Sequence, residues 1–270
     1  MNVTFIGGGN MASAMIGGLI RKRWPCRSIE VVEIDPSARQ RIARALKVRT
    51  HAALDARAVR AGCIVLAVKP QQALEAARAL GPLLRSQLVI TIAAGIRVKD
   101  LARSLGGYER VVRVMPNTPA LALAGISGLY AHPAVSARER AAAQKILGAV
   151  GTTLWLEREV DLDAITAVSG SGPAYVFYFI EALERAAREL GLAADAARRL
   201  ALETFAGAAK LVAQTGEAPE TLRGRVTSKG GTTERALLSM EADGVKETIV
   251  RAVKSAAQRS RELGDELGKD

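Results

Sequence analysis

The sequence predicts an α/β domain followed by an all-α domain, and two observations support this division. Up to about residue 158, short apolar runs that favour strands alternate with helical patterns, which is typical of a parallel, doubly wound sheet. From Asp161 onward we find no convincing strand, and the helical pattern is rich in Ala, Leu, Glu and Arg. We therefore predict an α/β domain over residues 1–158 and a helical domain over residues 159–270.

The α/β domain opens with an apolar run at Val3–Ile6, followed by Gly7-Gly8-Gly9-Asn10-Met11-Ala12 and a helical pattern. This run matches the G-x-G-x-x-A form of a Rossmann dinucleotide-binding turn. In that form Gly7 allows the sharp turn, Gly9 lets a pyrophosphate approach the backbone, and Ala12 allows close packing of helix on strand. Glycine turns also occur without ligands, but the flanking strand and helix favour dinucleotide binding here.

The remaining elements of this domain are predicted in chain order. Apolar, β-favouring runs predict strands at 29–34, around Val48, at 63–68, at 88–93 and at Val111–Met115. Helices are predicted to begin at Asp35-Pro36, to cover 54–59 and to begin at Lys69-Pro70. Asp35 suits the N-cap of its helix and Pro36 the first helical position, because proline lacks the N–H that would be unpaired there.

Three later strands end in loops with small residues or fixed backbone, and these loops are candidates for a cofactor site. They are Ala67-Val68-Lys69-Pro70, Ala93-Ala94-Gly95 and Met115-Pro116-Asn117-Thr118-Pro119. In an open α/β sheet, ligands bind outside the carboxyl ends of the strands. The loops would then form the wall of a cofactor crevice, although each of them alone is equally explained as a turn between strand and helix.

Acidic residues at the end of the second strand bear on the choice of cofactor. Glu33 and Asp35 stand where an acid accepts hydrogen bonds from the adenosine ribose hydroxyls and repels a 2′-phosphate. This favours NADH over NADPH. The role of Asp35 as helix cap could coexist with a ribose contact.

Two glycine-bearing segments interrupt the helical domain. In Ser169-Gly170-Ser171-Gly172-Pro173, the proline and glycines predict a kink in what otherwise reads as one long helix. In the segment 228–233, Gly230 and Gly231 precede a helix that begins around Thr232-Thr233. Backbone N–H groups and hydroxyls at such a helix start suit a carboxylate, and a plain N-cap motif explains the threonines about as well.

Composition argues against several other functions. The formal charge is +11, but the arginines are scattered along helices and aromatic residues make up only 4%, which does not favour nucleic-acid binding. No apolar run approaches the roughly 18 residues of a membrane span. Cys26 and Cys63 form neither a disulfide framework nor a metal site, so we expect a reducing cytoplasm and no metal. His51 and His132 are isolated and are predicted to lie on the surface or in loops, and no carboxylate pair is suitably placed for strong acid–base catalysis. This favours a reaction that needs little proton chemistry from the protein, such as hydride delivery to an activated C=N bond.

With these residues identified, the chain closely resembles the pyrroline-5-carboxylate reductases over nearly its full length. The matching pieces are Phe5-Ile6-Gly7-Gly8-Gly9-Asn10-Met11, Ala67-Val68-Lys69-Pro70, Arg113-Val114-Met115-Pro116-Asn117-Thr118-Pro119-Ala120, Ser169-Gly170-Ser171-Gly172-Pro173-Ala174-Tyr175 and Val226-Thr227-Ser228-Lys229-Gly230-Gly231-Thr232-Thr233. Only the first piece is shared widely with other dehydrogenases.

The resemblance implies a Rossmann domain and a C-terminal helical dimerisation domain that interlocks with a second subunit, often within a larger ring such as a decamer. It also implies a cytoplasmic oxidoreductase that uses NADPH or NADH to reduce 1-pyrroline-5-carboxylate to L-proline, the last step of proline biosynthesis.

The predicted site residues fall into two groups. The cofactor group combines the residues implied by the resemblance with those from the strand-end argument: Ile6, Gly7, Gly8, Gly9, Asn10, Met11, Asp35, Ala67, Val68, Lys69, Pro70, Ala93, Ala94, Pro116 and Asn117. The resemblance places Pro116 and Asn117 near the nicotinamide. It also implies a substrate group, in which the carboxylate is held by Ser228, Gly230, Gly231 and Thr232, the catalytic hydroxyl of Thr233 lies near the ring nitrogen, and Glu159 can touch the substrate.

Two positions depart from the family pattern. Many members have proline where this chain has Lys229, whose charge could attract the carboxylate or simply point to solvent. Many members that use NADPH have a basic or small polar residue in place of Asp35. Two rival functions stay open: a β-hydroxyacid dehydrogenase with Lys210 as catalytic lysine, and a nucleotide-binding protein without activity.

Overall fold

A computed structural model describes residues 1–269, in which the strands form one eight-stranded sheet of order β3-β2-β1-β4-β5-β6-β7-β8. Neighbouring strands from β3 to β6 are parallel, β6 and β7 are antiparallel, and β7 and β8 are parallel. The predicted parallel, doubly wound sheet is therefore confirmed for its first six strands. The strands are β1 Val3–Ile6, β2 Ile29–Val32, β3 Arg49–His51, β4 Cys63–Leu66, β5 Leu88–Thr91, β6 Val111–Met115, β7 Gly125–Ala131 and β8 Gly151–Trp155.

The helices flank this sheet and then make up the C-terminal part of the chain. Those of the first 165 residues are α1 Asn10–Arg21, α2 Pro36–Leu46, α3 Pro70–Leu80, α4 Val98–Ser104, α5 Ala137–Leu147 and α6 Asp161–Ile165. A π-helical turn, Thr166–Gly170, follows α6. The later helices are α7 Gly172–Glu189, α8 Ala194–Thr215, α9 Pro219–Arg225, α10 Thr232–Ala242 and α11 Val245–Leu267. Between residues 161 and 269 the described structure contains helices and turns without a strand, as predicted.

The sheet is buried on both faces, because helices cover each side of the parallel strands. Phe5 of β1 packs on one face with Met15 and Leu19 of α1. Ile6, its neighbour, points to the other face and packs with the helices α3 and α4. This alternation explains why the first strands read as continuous apolar runs in the sequence.

The helix predicted over 54–59 is wrong, since the structure has turns at residues 56–59. The carboxylate of Asp55 accepts hydrogen bonds from the backbone N–H groups of Arg57 and Ala58, at 2.9 and 3.0 Å. Such a local side-chain bond offers the backbone an alternative to a helix. The strands predicted at 29–34, 63–68 and 88–93 each end two residues earlier than expected, because their last residues form the loops at the sheet edge.

The chain divides into two compact units. The first comprises Met1–Ser171 together with residues 256–269, and the second comprises Gly172–Ser255. The last turns of α11 therefore belong with the sheet, although they follow it by about a hundred residues in the chain. The boundary predicted at residue 158 stays a prediction.

No helix in the described part of the chain is both long and apolar enough to cross a membrane.

Candidate active site

The glycine turn after β1 has the geometry that a dinucleotide requires. Gly7 has φ +96°, and a Cβ there would lie 2.7 Å from the carbonyl oxygen of Ala67, so only glycine fits. Gly9 is the N-cap of α1 without a side-chain hydrogen bond, and no atom lies within 4 Å of the place where its Cβ would be. The first N–H groups of α1 thus stand behind an open space, which is where a pyrophosphate binds at a helix N-terminus.

A cavity of about 580 Å³ lies against this turn. Eight predicted cofactor residues line it: Ile6, Gly7, Gly8, Gly9, Asp35, Ala67, Val68 and Lys69. The other predicted cofactor residues do not line it: Asn10, Met11, Pro70, Ala93, Ala94, Pro116 and Asn117. Gln72 and Ala76 of α3 also line the cavity, and no motif in the sequence selects them.

Glu33 organises the side of the cavity at the end of β2. One of its carboxylate oxygens accepts a hydrogen bond from Gly8 N at 2.9 Å, and the other accepts from Asp35 N at 2.9 Å. Both oxygens are therefore already bonded to backbone. Asp35 caps α2 by accepting from Ala38 N, which confirms its predicted cap role. Glu33 therefore holds the shape of the glycine turn, and Asp35 is a second, exposed acid at this end of the cavity.

Arg39 brings a positive charge to the end of β2, and this residue was not among the predicted site residues. Its Nη1 donates hydrogen bonds to the carbonyl oxygens of Glu33 and Ile34, at 2.8 and 3.2 Å. A signal existed, because Arg39 follows the capping residue Asp35 by one helical turn. A guanidinium of this kind partly offsets the acidic charge of Glu33 and Asp35.

The loop after β5 is held by the C-terminal turns of α11. Gly95 has φ +75°, and a Cβ there would lie 3.0 Å from Leu267 and 3.4 Å from Leu263. Arg97 pairs with Asp265 at 2.7 Å and donates to the carbonyl oxygen of Arg261 at 3.2 Å. The loop that follows Ala93 and Ala94 is therefore held, at Gly95 and Arg97, by a distant part of the chain.

Asn117, which lies just after β6, makes hydrogen bonds through both the oxygen and the nitrogen of its side-chain amide. Its Oδ1 accepts from Ile126 N at 2.9 Å, and its Nδ2 donates to Ser169 Oγ at 3.3 Å. The side chain is buried, with the residue 9% exposed. The structure thereby joins two motifs that are far apart in the sequence, since Ser169 belongs to the Ser169-Gly170-Ser171-Gly172-Pro173 segment.

Glu159, a predicted substrate residue, makes two hydrogen bonds within the first unit. Its Oε1 accepts from Arg113 Nη1 at 2.8 Å and from Val98 N at 2.7 Å. These contacts tie β6 and the start of α4 to the segment before α6. A substrate contact by Glu159 stays a prediction.

The segment 228–233 belongs to the second unit and begins α10 as predicted. Gly230 has φ +74°, and a Cβ on Gly231 would lie 2.7 Å from Ser228 Oγ. Gly231, with no side-chain bond, is the N-cap, so Thr232 and Thr233 occupy the first two helical positions. The reading of the threonines as N-cap is therefore wrong. Gly230 N donates to Glu234 Oε2 at 2.6 Å, which shows that this turn already accommodates a carboxylate.

The remaining reactive side chains offer little for nucleophilic or metal chemistry. Cys63 is fully buried in β4, and this burial raises the pKa of its thiol well above the usual range, so it stays protonated. His51, expected on the surface or in a loop, instead ends β3 and lies 2.7 Å from Glu30. Among residues 1–269, no group of three or more His, Cys, Asp or Glu side chains could hold a metal ion.

Two family models match the chain. Residues 2–95 match the family described as NADP oxidoreductase coenzyme F420-dependent. Residues 159–263 match the family described as pyrroline-5-carboxylate reductase dimerisation.

Curated relatives and solved structures give the same result over the whole chain. The pyrroline-5-carboxylate reductase of Pseudomonas aeruginosa is 45% identical over 98% of both chains, and that of Haemophilus influenzae is 40% identical over 97% of both. A structure from Coxiella burnetii, described as a pyrroline-5-carboxylate reductase, superposes with a TM-score of 0.90 at 38% identity, covering 97% of this chain and 98% of that one. A Plasmodium falciparum pyrroline carboxylate reductase with NADP bound superposes with a TM-score of 0.87 at 28% identity over 98% of both chains.

Proposed function

Because the chain belongs to the pyrroline-5-carboxylate reductase family, we propose that it reduces 1-pyrroline-5-carboxylate to L-proline with NADPH or NADH, the last step of proline biosynthesis. The observation that carries this proposal is the cavity at the glycine turn, where Gly7, Gly8 and Gly9 line an open space next to the N-terminus of α1. When bound, the reduced nicotinamide supplies the hydride that is added to the imine carbon.

The residues of the first unit bind and orient the cofactor. The N-terminus of α1 receives the pyrophosphate, and Asp35 accepts hydrogen bonds from the adenosine ribose. Asp35 favours NADH over NADPH, because a carboxylate repels a 2′-phosphate. Arg39 limits this preference for NADH, because its guanidinium, hydrogen-bonded to the carbonyl oxygens of Glu33 and Ile34, adds a positive charge at the end of β2.

The segment 228–233 holds the substrate. Ser228, Gly230, Gly231 and Thr232 bind the imine carboxylate, and the exposed Lys229 adds positive charge beside them. The hydroxyl of Thr233 donates a hydrogen bond to the ring nitrogen, which gains electron density as the C=N bond is reduced. The rate gain comes chiefly from holding the imine carbon and the hydride donor in one geometry.

Self-association is part of the proposal, as an interlocked homodimer within a larger ring such as a decamer. Large apolar side chains are exposed on or beside α7 and α8, including Tyr178 at 72% and Leu190 at 85%, and burial of such side chains against a second subunit would remove apolar surface from water. We place the enzyme in the cytoplasm, where the free thiols of Cys26 and Cys63 stay reduced.

The test is a steady-state assay that follows NADPH or NADH oxidation with the pyrroline substrate, using Thr233→Ala and, as control, Ser239→Ala on the exposed side of the same helix. Thr233→Ala should lower kcat by roughly 10- to 100-fold, as expected for one positioned donor, and Ser239→Ala should leave it unchanged. An unchanged kcat in Thr233→Ala would discard the role of this hydroxyl.

The rival functions are tested by assays in the oxidation direction, with hydroxyacids or with proline as substrate, and by cofactor binding. Activity with hydroxyacids, but none with proline and NAD at high pH, would favour a β-hydroxyacid dehydrogenase. Cofactor binding without turnover of either substrate would favour a binding protein. Lys210, the candidate lysine of the first rival, is exposed on α8.

A further inference from the structure

The π-helical turn Thr166–Gly170 is the least regular piece of the helical segments, and it packs on the end of β6. Its defining bond runs from Ser171 N to the carbonyl oxygen of Thr166 at 2.8 Å. A Cβ on Gly170 would collide with the terminal methyl of Met115, the last residue of β6. Insertions of this type are rare and are frequently found at functional sites.

The turn brings Ser169 to Asn117, and the hydrogen bonds fix the direction of the contact. Because Ile126 N can only donate, the atom of Asn117 that faces it at 2.9 Å must be the amide oxygen. The amide nitrogen therefore faces Ser169, and Ser169 Oγ accepts from it at 3.3 Å. The acceptor role of this hydroxyl is thus used within the protein.

The hydrogen of the Ser169 hydroxyl remains available to a ligand. Among the hydrogen bonds of residues 1–269, Ser169 Oγ takes part as the acceptor from Asn117 and not as a donor, and Ser169 is only partly buried. A serine hydroxyl donates one hydrogen bond in addition to those it accepts. The Asn117 amide also limits how the hydroxyl can rotate, so its donor direction is set before a ligand binds.

The position in the sheet identifies which part of the cofactor lies nearby. The strand order places β2 on one side of β1 and β4, β5 and β6 on the other. The adenosine ribose lies at the end of β2 and the pyrophosphate at the turn after β1. The nicotinamide half must therefore extend towards β4–β6. On the nicotinamide ring itself, the only strong hydrogen-bond acceptor is the carboxamide oxygen.

We propose that Ser169 donates a hydrogen bond to the carboxamide oxygen of the bound nicotinamide, and that Asn117 positions the hydroxyl for this contact. The inference rests on the proposed function for the identity of the cofactor. It gives the π-helical turn a role, because the turn presents the Ser169 hydroxyl to the end of β6.

The experiment changes both partners of the proposed hydrogen bond, which are the Ser169 hydroxyl on the protein and the carboxamide oxygen on the cofactor. Calorimetric titration, without substrate, measures Kd for reduced NADH or NADPH and for the thionicotinamide analogue, in which sulfur, a weak acceptor, replaces the carboxamide oxygen. The wild-type chain should bind the oxygen cofactor about 3- to 10-fold more tightly than the analogue, as expected for one hydrogen bond. Ser169→Ala should lose this preference, and Ser171→Ala, a matched change in the same motif, should keep it.

The proposal would be overturned if Ser169→Ala weakened binding of the natural cofactor and of the thionicotinamide analogue equally, or weakened neither. A higher KM for the imine with an unchanged Kd for the cofactor would also overturn it. Thermal unfolding verifies that the variant folds. If Ser169→Ala does not, Ser169→Cys keeps the size with a weak donor, and the same loss of preference is expected. A wild-type chain that binds the cofactor but does not reduce the pyrroline would refute the proposed function and still allow this binding test.

Discussion

Arg113 and Glu159 form an ion pair that is largely shielded from water, with 2.8 Å between Nη1 and Oε1 and side chains that are 8% and 22% exposed. The same carboxylate oxygen accepts from Val98 N at 2.7 Å. One carboxylate thus joins β6, the start of α4 and the segment that leads into α6. The pair is close to the predicted nicotinamide end of the site, since β6 leads directly into Pro116 and Asn117.

The first prediction concerns the stability provided by this pair. Glu159→Gln keeps the size of the side chain but leaves the Arg113 charge without its partner, and breaking a buried pair is strongly destabilising. Because the carboxylate is partly exposed, we expect a loss of about 1–3 kcal/mol in the free energy of unfolding, measured by chemical denaturation. Glu157→Gln, an exposed acid two residues earlier, is the control. A normal stability combined with a raised KM for the imine would instead assign Glu159 to the substrate.

The second prediction separates two glycines of the same turn. Gly7→Ala should destabilise the protein, because φ is +96° and the added carbon would lie 2.7 Å from Ala67 O. Gly9→Ala should leave the thermal unfolding midpoint unchanged and weaken cofactor binding, because its added carbon meets no protein atom within 4 Å but occupies the space of the pyrophosphate. Calorimetry and thermal unfolding of both variants measure the two effects. Unchanged cofactor affinity in Gly9→Ala would contradict the placement of the pyrophosphate.

The third prediction concerns the preference between NADH and NADPH. Asp35→Arg should raise the ratio of kcat/KM for NADPH to that for NADH, because it replaces a charge that repels a 2′-phosphate with one that attracts it. Asp35→Asn is the matched variant, since asparagine also caps helices but carries no charge, and it should shift the ratio in the same direction by less. A ratio that stays constant in both variants would leave Asp35 with its cap role alone.

The fourth prediction concerns Glu234, whose Oε2 accepts from Gly230 N at 2.6 Å. Its carboxylate occupies an N–H group that the proposed substrate carboxylate requires, and two like charges about 5 Å apart in water repel by roughly 0.8 kcal/mol. Glu234→Gln should therefore lower the KM for the imine by about 4-fold at low ionic strength, and less at high salt. Glu241→Gln, near the other end of α10, is the control. An unchanged or higher KM would show that Glu234 does not compete for this turn.

The features that the sequence predicted well depend on neighbouring residues. The turn at Gly7 and the cap at Asp35 are set by backbone conformation and by a bond to a residue three positions away. The first six strands were recognised because strands buried on both faces are continuously apolar. The strands β7 and β8 were not predicted. In β7, Gly125 and Gly128 weaken the apolar pattern. Gly128 is required there by packing, since an added Cβ would lie 2.9 Å from Ile165.

The sequence by itself determined the glycine turn, the alternation of strands with helices and the helical character of the C-terminal part, because each depends on local conformational preference or on a repeating apolar pattern. Only the tertiary structure decided that Arg113 meets Glu159, that Asn117 meets Ser169 and that Arg97 meets Asp265. These partners lie 46, 52 and 168 residues apart. Hydrogen bonds and ion pairs depend on atoms a few ångströms apart in space, and chain folding brings such atoms together without leaving a periodic trace in the sequence.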